Sequence, residues 1–184
     1  MAAVYLVQHA EKQKEPGDPG LTEHGREQAS RTGQWLRGVG LAAVYGSPQR
    51  RAWQTAELIA AATGLLPKED ERLRERMNWD GDQSLDDFLA DWAHSARDRD
   101  FVPHAGESAR QAGERLLAFV LDVAERPAPV AAVTHGGVTV ELLRSLVGDE
   151  SLPPGLLDEG VPSCALTVLQ GLTVISVAST AHLR

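Results

Sequence analysis

A chain of 184 residues, 42% hydrophobic and with only 10 Pro against 17 Gly, can bury a full core, which excludes the disordered and fibrous classes and predicts one domain over residues 1–184. A formal net charge of -8 argues against non-specific binding to nucleic acid or anionic membrane, which needs a basic footprint. The single cysteine, Cys164, excludes an intrachain disulfide and a cysteine-rich metal site; with no cleavable signal pattern after Met1 and no run of membrane-spanning length, the expected location is cytoplasmic.

The first element is Val4-Tyr5-Leu6-Val7, a continuous apolar run of the kind that fills a parallel strand buried on both faces, and it stops at Gln8-His9-Ala10-Glu11-Lys12. Ligands of open α/β sheets sit at the carboxyl ends of such strands, so His9 is a site candidate. Residues 11–20, rich in Pro, Gly and charge, read as a mobile loop over that strand end, a lid facing substrate. Thr22 caps a helix to about Gly38, with Ala29, Trp35 and Leu36 on one face and Gly40 closing it. Residues 41–45 form a second buried strand that ends at Gly46-Ser47-Pro48. Residues 50–62 follow as a helix that offers Trp53, Ala56, Leu58, Ile59 and Ala60 to the core and stops at Gly64.

Residues 65–73 hold a strand of poor regularity, and 73–81, charged and without period, are irregular. Ser84 and Asp87 resemble a capping box for a helix to about Ala96, followed by a polar loop. The longest helix spans 107–124, with Ala112, Leu116, Phe119, Val120 and Val123 as one apolar stripe. Residues 129–134 are again a buried strand, and it too ends on histidine, in Thr134-His135-Gly136-Gly137. A helix over 138–147 and a hairpin of 163–169 with 172–178 complete the chain. The alternation predicts an α/β fold: a three-layer α/β/α sandwich around a mostly parallel sheet with one antiparallel strand.

The strand ends carry the chemistry of a phosphoryl site, which needs a nucleophile, fixed positive charge and an acid for the leaving group. His9 supplies a ring nitrogen that can attack phosphorus while the other nitrogen donates to a backbone carbonyl. Arg51 stands just past a strand end, where its planar fork can hold two phosphate oxygens. His135 ends another strand, and Gly136-Gly137 at a helix start lets backbone N–H groups approach an anion. Taken singly, Arg51 also reads as a solvated helix residue, His135 as a loop histidine and Gly136-Gly137 as a turn.

Together these segments resemble the histidine phosphatase superfamily, also called phosphoglycerate mutase-like. Its first motif, Leu-Val-Arg-His-(Gly/Ala)-Glu, is similar to Leu6-Val7-Gln8-His9-Ala10-Glu11. Leu21-Thr22-Glu23-His24-Gly25-Arg26-Glu27-Gln28-Ala29, the block from Ser47 to Ala56, Arg72-Leu73-Arg74-Glu75, Gly106-Glu107-Ser108 and Thr134 to Gly137 follow in family order. The resemblance implies a phosphoglycerate mutase-like fold, His9 as the phosphorylated nucleophile, Arg51 and His135 as phosphate ligands, Glu75 as proton donor and Gly136 as a backbone contact. Glu107 is the reserve acid and shapes the pocket wall, and Asp80 is a third candidate. Glu75, between Arg74 and Arg76, also reads as a surface ion-pair partner. Lys12 and Lys14 either reach a distal anionic group or are simply solvated.

One position departs from the family. Gln8 stands where the motif has a phosphate-contacting arginine. A neutral amide donates a hydrogen bond without charge, and hydrogen bonds to charged groups are worth ~1.5–3 kcal/mol. Family mutases carry longer insertions and a tail over the site, whereas the last β-run here is followed closely by Arg184, so an open pocket and hydrolysis are expected. The expected activity is a metal-independent, cofactor-independent phosphomonoesterase acting on a phosphorylated small molecule. The alternatives are a weakened or inactive phosphate-binding scaffold, which Gln8 would explain, or a phosphohistidine-protein phosphatase. No nucleic-acid or membrane partner is expected, and the sequence carries no signal of oligomeric state.

Overall fold

A computed structural model describes all 184 residues. Its centre is a six-stranded sheet in the order β3-β2-β4-β1-β5-β6, built from β1 (Ala3–Gln8), β2 (Ala43–Gly46), β3 (Pro67–Glu69), β4 (Val130–Thr134), β5 (Leu166–Gln170) and β6 (Thr173–Ser179). The pairs β2·β3, β2·β4 and β1·β4 are parallel, and β5 runs antiparallel to both β1 and β6. The expected single antiparallel strand is therefore β5.

Alternation along the strands divides the core between the two sheet faces. Val4 and Leu6 of β1, Tyr45 of β2 and Val130 and Ala132 of β4 pack on Leu116, Phe119, Val120 and Val123 of α4 (Ala109–Ala124) and Val138 and Leu142 of α5 (Gly136–Val147). Val7, Val44, Ala131 and Val133 face the other way, onto Ala52, Ala56, Ile59 and Ala60 of α2 (Arg50–Thr63), with Leu36 from α1 (Glu23–Leu36). A helical layer thus covers each face, and β4 is buried along its whole length. No helix is long and apolar enough to cross a membrane.

Most boundaries fall where the sequence places them. Thr22 caps α1 by accepting from the Gly25 N–H, Gly40 and Gly64 close their helical segments with positive φ, and Ser84 caps α3 (Leu85–Arg97). Four expectations change. Trp35 is not a core residue: it is 45% exposed and lies edge-on to Tyr5, because α1 buries the stripe through Ala29, Thr32 and Leu36 instead. The 107–124 helix begins at Ala109, where Ser108 and Gln111 form a reciprocal capping box. The helix after β4 begins at Gly136 with His135 as its N-cap, so Gly136 and Gly137 form its first turn and are not a loop before it.

The 11–20 segment is not a free lid. The Gly17 N–H donates to the Trp79 carbonyl at 2.8 Å, Asn78 Nδ2 donates to the Gly17 carbonyl at 2.7 Å, and Asp18 Oδ1 accepts the Arg50 N–H at 2.7 Å. Backbone and side-chain bonds tether it as a wall. Beyond α5, the short α6 (Leu156–Glu159) leads into the loop before β5.

Candidate active site

Sheet register brings the two strand-end histidines together. In the parallel β1·β4 pair Gln8 faces Thr134, so His9 and His135 each take the next position, and their ring centroids lie 5.2 Å apart. In β2, Gly46 faces Val133, which brings Ser47 and the start of α2 to the same edge. Four of the residues singled out in the sequence (His9, Arg51, Glu75 and His135) meet at the carboxyl ends of these strands.

His9 Nδ1 lies 2.8 Å from the Ala10 carbonyl. A carbonyl only accepts, so Nδ1 carries the proton, and Nε2 keeps its lone pair towards the cavity that His9 lines. The Ala10 N–H donates to Thr55 Oγ1, whose hydroxyl donates to the Arg51 carbonyl, so α2 holds the histidine's loop. Burial, then the Arg51 cation, then Lys12 push the His9 imidazole down to about 3, against the opposing effect of the Ala10 carbonyl. His9 is a neutral base at ordinary pH.

His135 is fully buried, with Nε2 2.8 Å from Ser47 Oγ. The Ser47 oxygen accepts the Gln49 N–H, which frees its hydroxyl to donate to Nε2. The proton of His135 is then on Nδ1, a buried donor with no partner in the protein. Burial, followed by Arg51 and His9, holds its pKa well below the usual histidine value.

Arg51 is buried. Its Nη1 donates to Asn78 Oδ1 at 3.2 Å and its Nε has no partner. Burial lowers its pKa, opposed by Glu75 and Asp18. The carboxylate of Glu75 caps α5: Oε2 accepts the Gly137 N–H at 2.9 Å, and Oε1 accepts the Val138 N–H at 2.8 Å and the Arg76 N–H at 2.8 Å. Gln49 Oε1 fixes the Glu75 backbone from the other side. A Cβ at 137 would lie 2.6 Å from Glu75 Oε1 and 2.8 Å from the Trp92 ring, so any larger residue there must displace these side chains. The Gly136-Gly137 helix start thus does meet an anion, but that anion is Glu75; only the Gly136 N–H is left unengaged by it.

His9, Lys12, Arg51, Glu75, Trp79 and Trp92 line a cavity of about 300 Å³. Gln8 does not line it. Its side chain turns into an adjoining cavity, also of about 300 Å³, with Gly136, Arg76, Arg144 and Val161, and Glu75 and Trp92 form the partition between the two. Gln8 Oε1 is buried there without a partner. Lys12 is the second cation of the His9 cavity beside Arg51, Glu15 also lines it, and Lys14 is exposed and outside both cavities.

The reserve acids lie elsewhere. Glu107 is bound by Arg115 and faces Arg74, and with the exposed Asp80 it lines a third cavity that His9 does not reach. Five supporting residues escaped the sequence reading: Ser47, Thr55 and Asn78, which orient His135, His9 and Arg51, and the Arg76–Trp92 pair. Ser47 and Thr55 sat inside a quoted motif block, which was their signal; Arg76 and Asn78 lie in a segment without pattern, and Trp92 on the capped helix after it, which carries no motif.

A neutral imidazole with a free lone pair, a second imidazole and a buried guanidinium thus stand together at the carboxyl ends of the strands of a doubly covered α/β sheet. The model of the histidine phosphatase superfamily (branch 1) matches residues 4–171, and the chain belongs to that superfamily. It is 32% identical over 165 residues to a probable phosphoglycerate mutase of Erwinia tasmaniensis, covering 80% of this chain and 76% of the relative. To a 2,3-bisphosphoglycerate-dependent phosphoglycerate mutase of Brucella melitensis it is 32% identical over 162 residues, 79% of each chain. Among solved structures it is similar to Bacillus stearothermophilus YhfR, with 27% identity, a TM-score of 0.78 and full coverage of both chains. A mycobacterial glucosyl-3-phosphoglycerate phosphatase in complex with inorganic phosphate matches with 25% identity, a TM-score of 0.78 and 99% of each chain.

Proposed function

We propose that this protein hydrolyses phosphomonoesters of small molecules through a phosphohistidine on His9. The observation that carries the reading is the His9 imidazole, kept neutral and held by the Ala10 carbonyl so that Nε2 opens on a cavity shared with Arg51. Nε2 attacks phosphorus as the bond to the leaving oxygen breaks, and the developing charge falls between the Arg51 guanidinium and His135 Nδ1–H. Glu75 delivers a proton to the leaving oxygen and takes one back from the water that later splits the N–P bond. To carry that proton on Oε2, the carboxyl gives up the Gly137 N–H, a single contact.

Hydrolysis is favoured over mutase chemistry by the composition of the His9 cavity. A mutase must hold a second phosphoryl group, yet apart from Lys12 and Arg51 the wall is largely Pro19, Met77, Trp79, Leu85, Phe88 and Trp92. Such a wall suits a leaving group with an apolar face, and names of both kinds, mutase and phosphatase, occur among the relatives. Turnover of p-nitrophenyl phosphate and a panel of phosphorylated metabolites, with release of inorganic phosphate followed for wild type and His9→Ala, tests the reading. Phosphate release that depends on His9 supports it. Tight phosphate binding without release would leave the scaffold reading, and activity confined to phosphohistidine proteins would replace the substrate class.

A further inference from the structure

We infer that Arg76, which lines the same cavity as Gln8, is the second phosphate-binding arginine of this site and a catalytic residue. The inference rests on the phosphoryl-transfer reading above and names a group that binds the transferred phosphoryl.

The Arg76 guanidinium makes no direct ion pair, and Glu75 and Glu141 act on it only from beyond contact. Arg76 is 3% exposed. Its Nη1 reaches only the Met77 sulfur at 3.4 Å, a weak acceptor, and its Nε has no partner. Apart from Arg51, the other buried or half-buried arginines nearby are paired: Arg99 and Arg144 with Glu141, Arg115 with Glu107. Glu75, adjacent in sequence, has its oxygens on the backbone N–H groups of Gly137, Val138 and Arg76 and makes no ion pair with the Arg76 guanidinium. Burying a cation without a contacting carboxylate is unfavourable, and an anion that arrives beside it offsets that cost.

Placement indicates which anion. Arg76 stacks on the Trp92 ring, its Cζ 3.8 Å from the centroid, which holds the fork flat. Its Nε would be 3.0 Å from a Cβ on Gly137, so it lies against the first turn of α5, the helix that His135 caps. Arg76, Gln8 and Gly136 line one cavity and Arg51 and His9 the next, with only Glu75 and Trp92 between. Arg51 and Arg76 thus flank Glu75 as two buried guanidinium groups, each with an orphaned Nε. A phosphoryl group on His9 would present three equatorial oxygens, and beyond Arg51 and His135 the arginine nearest the His9 cavity is Arg76, in the cavity that adjoins it. Gln8 brings no charge to that side and Arg76 does.

A charge swap tests this, read by calorimetric binding of inorganic phosphate, vanadate inhibition and kcat/KM for p-nitrophenyl phosphate. Arg76→Met, which keeps an apolar chain on Trp92, is expected to weaken phosphate and vanadate binding about ten- to a hundredfold. Gln8→Arg alone is expected to leave affinity level or lower it, since the new cation meets Arg76. In the Arg76→Met background the same change is expected to restore at least about tenfold, the cost of one lost charged contact. Arg76→Met binding phosphate as the wild type does would overturn the assignment. So would a raised KM only for substrates bearing a second anionic group, with phosphate affinity unchanged, because Arg76 would then serve a distal group. Should Arg76→Met fail to fold, Gln8→Arg in the wild-type background still decides: tighter phosphate binding by tenfold or more means that side lacked a cation and rejects Arg76. Wild type that binds phosphate through Arg76 but hydrolyses no ester sinks the proposed activity alone. Turnover with no dependence on Arg76 sinks this inference alone, and a wild type that binds no phosphate overturns both.

Discussion

The Glu75 carboxylate and the Gly137 N–H meet at 2.9 Å across 62 positions of sequence, so the proposed proton donor is also the cap of the helix that follows His135. Acid catalysis and helix capping therefore depend on one side chain. Glu75→Gln keeps one capping oxygen but has no proton to give. It is expected to slow alkyl phosphates at least a hundredfold and p-nitrophenyl phosphate less than tenfold, because an aryl oxide leaves unaided and general acid catalysis is worth ~10²–10⁴. Steady-state rates across a series of leaving groups check this, and equal slowing would take the acid role from Glu75.

Glu107→Gln separates the second acid candidate. Glu107 is committed to Arg115 and Arg74 and lines a cavity apart from His9. Its loss is expected to lower the thermal midpoint by a few degrees, in keeping with ~1 kcal/mol for a domain of this size, and to leave the leaving-group dependence intact. A steeper leaving-group dependence in this variant would restore Glu107 as the acid.

His9→Ala is expected to remove turnover and covalent labelling together. Enzyme mixed with substrate and quenched in alkaline denaturant should show, by ³¹P NMR and alkali-stable, acid-labile label, a phosphoramidate that the variant lacks. Label persisting on the variant would move the nucleophile to another residue.

Ser47→Ala tests the tautomer of His135. Removing the hydroxyl leaves Nε2 without its donor at 2.8 Å in a fully buried ring, so Nδ1 loses its assured proton. A fall in kcat of about ten- to a hundredfold with little change in KM is expected, of the size of one hydrogen bond to a charged oxygen. Ser47→Thr, which restores a hydroxyl, should recover part of it. A Ser47→Ala enzyme with wild-type kcat would show that His135 is oriented by its packing alone.

The histidines also fix a pH dependence. Free histidine titrates near 6.5, whereas folded His9 stays neutral down to about 3 and His135 is lowered as well. Below pH 6.5 the unfolded chain takes up protons that these folded residues refuse, so stability is full above that pH and declines as pH falls towards 3. The slope is at most about 1.4 kcal/mol per pH unit for each histidine. Urea unfolding at pH 7 and pH 5 should show the loss, reduced in His9→Ala. Histidine Cε1 resonances should place neither ring's titration near 6.5; a midpoint there would contradict the burial of the pair.

The sequence by itself determined the α/β architecture and the strand ends. Unbroken apolar runs ending on His9 and His135 specify parallel strands whose next residues must lie side by side once paired, and Ser47 to Ala56 carries Arg51 to the same edge on the first turns of a helix. These are local patterns, period and punctuation, and they are readable without neighbours. Trp35 shows the limit even there: helical spacing marks a stripe, but which side of the stripe the partner layer covers is decided by packing against β1 and α2.

Only the tertiary structure decided what each side chain faces. Gln8 follows the apolar run as the family motif has it, yet it opens on the cavity of Arg76 and not on that of His9. Glu75 becomes the cap of α5, Asn78 ties Arg51 to the loop of Gly17, and Ser47 reaches His135 across 88 positions. Such contacts join segments whose separation along the chain has no period and no motif. They follow from sheet register and from the irregular stretch between β3 and α3, whose path is set by the surfaces it crosses. That Gln8 and Arg76 share a cavity is visible only once the chain is folded.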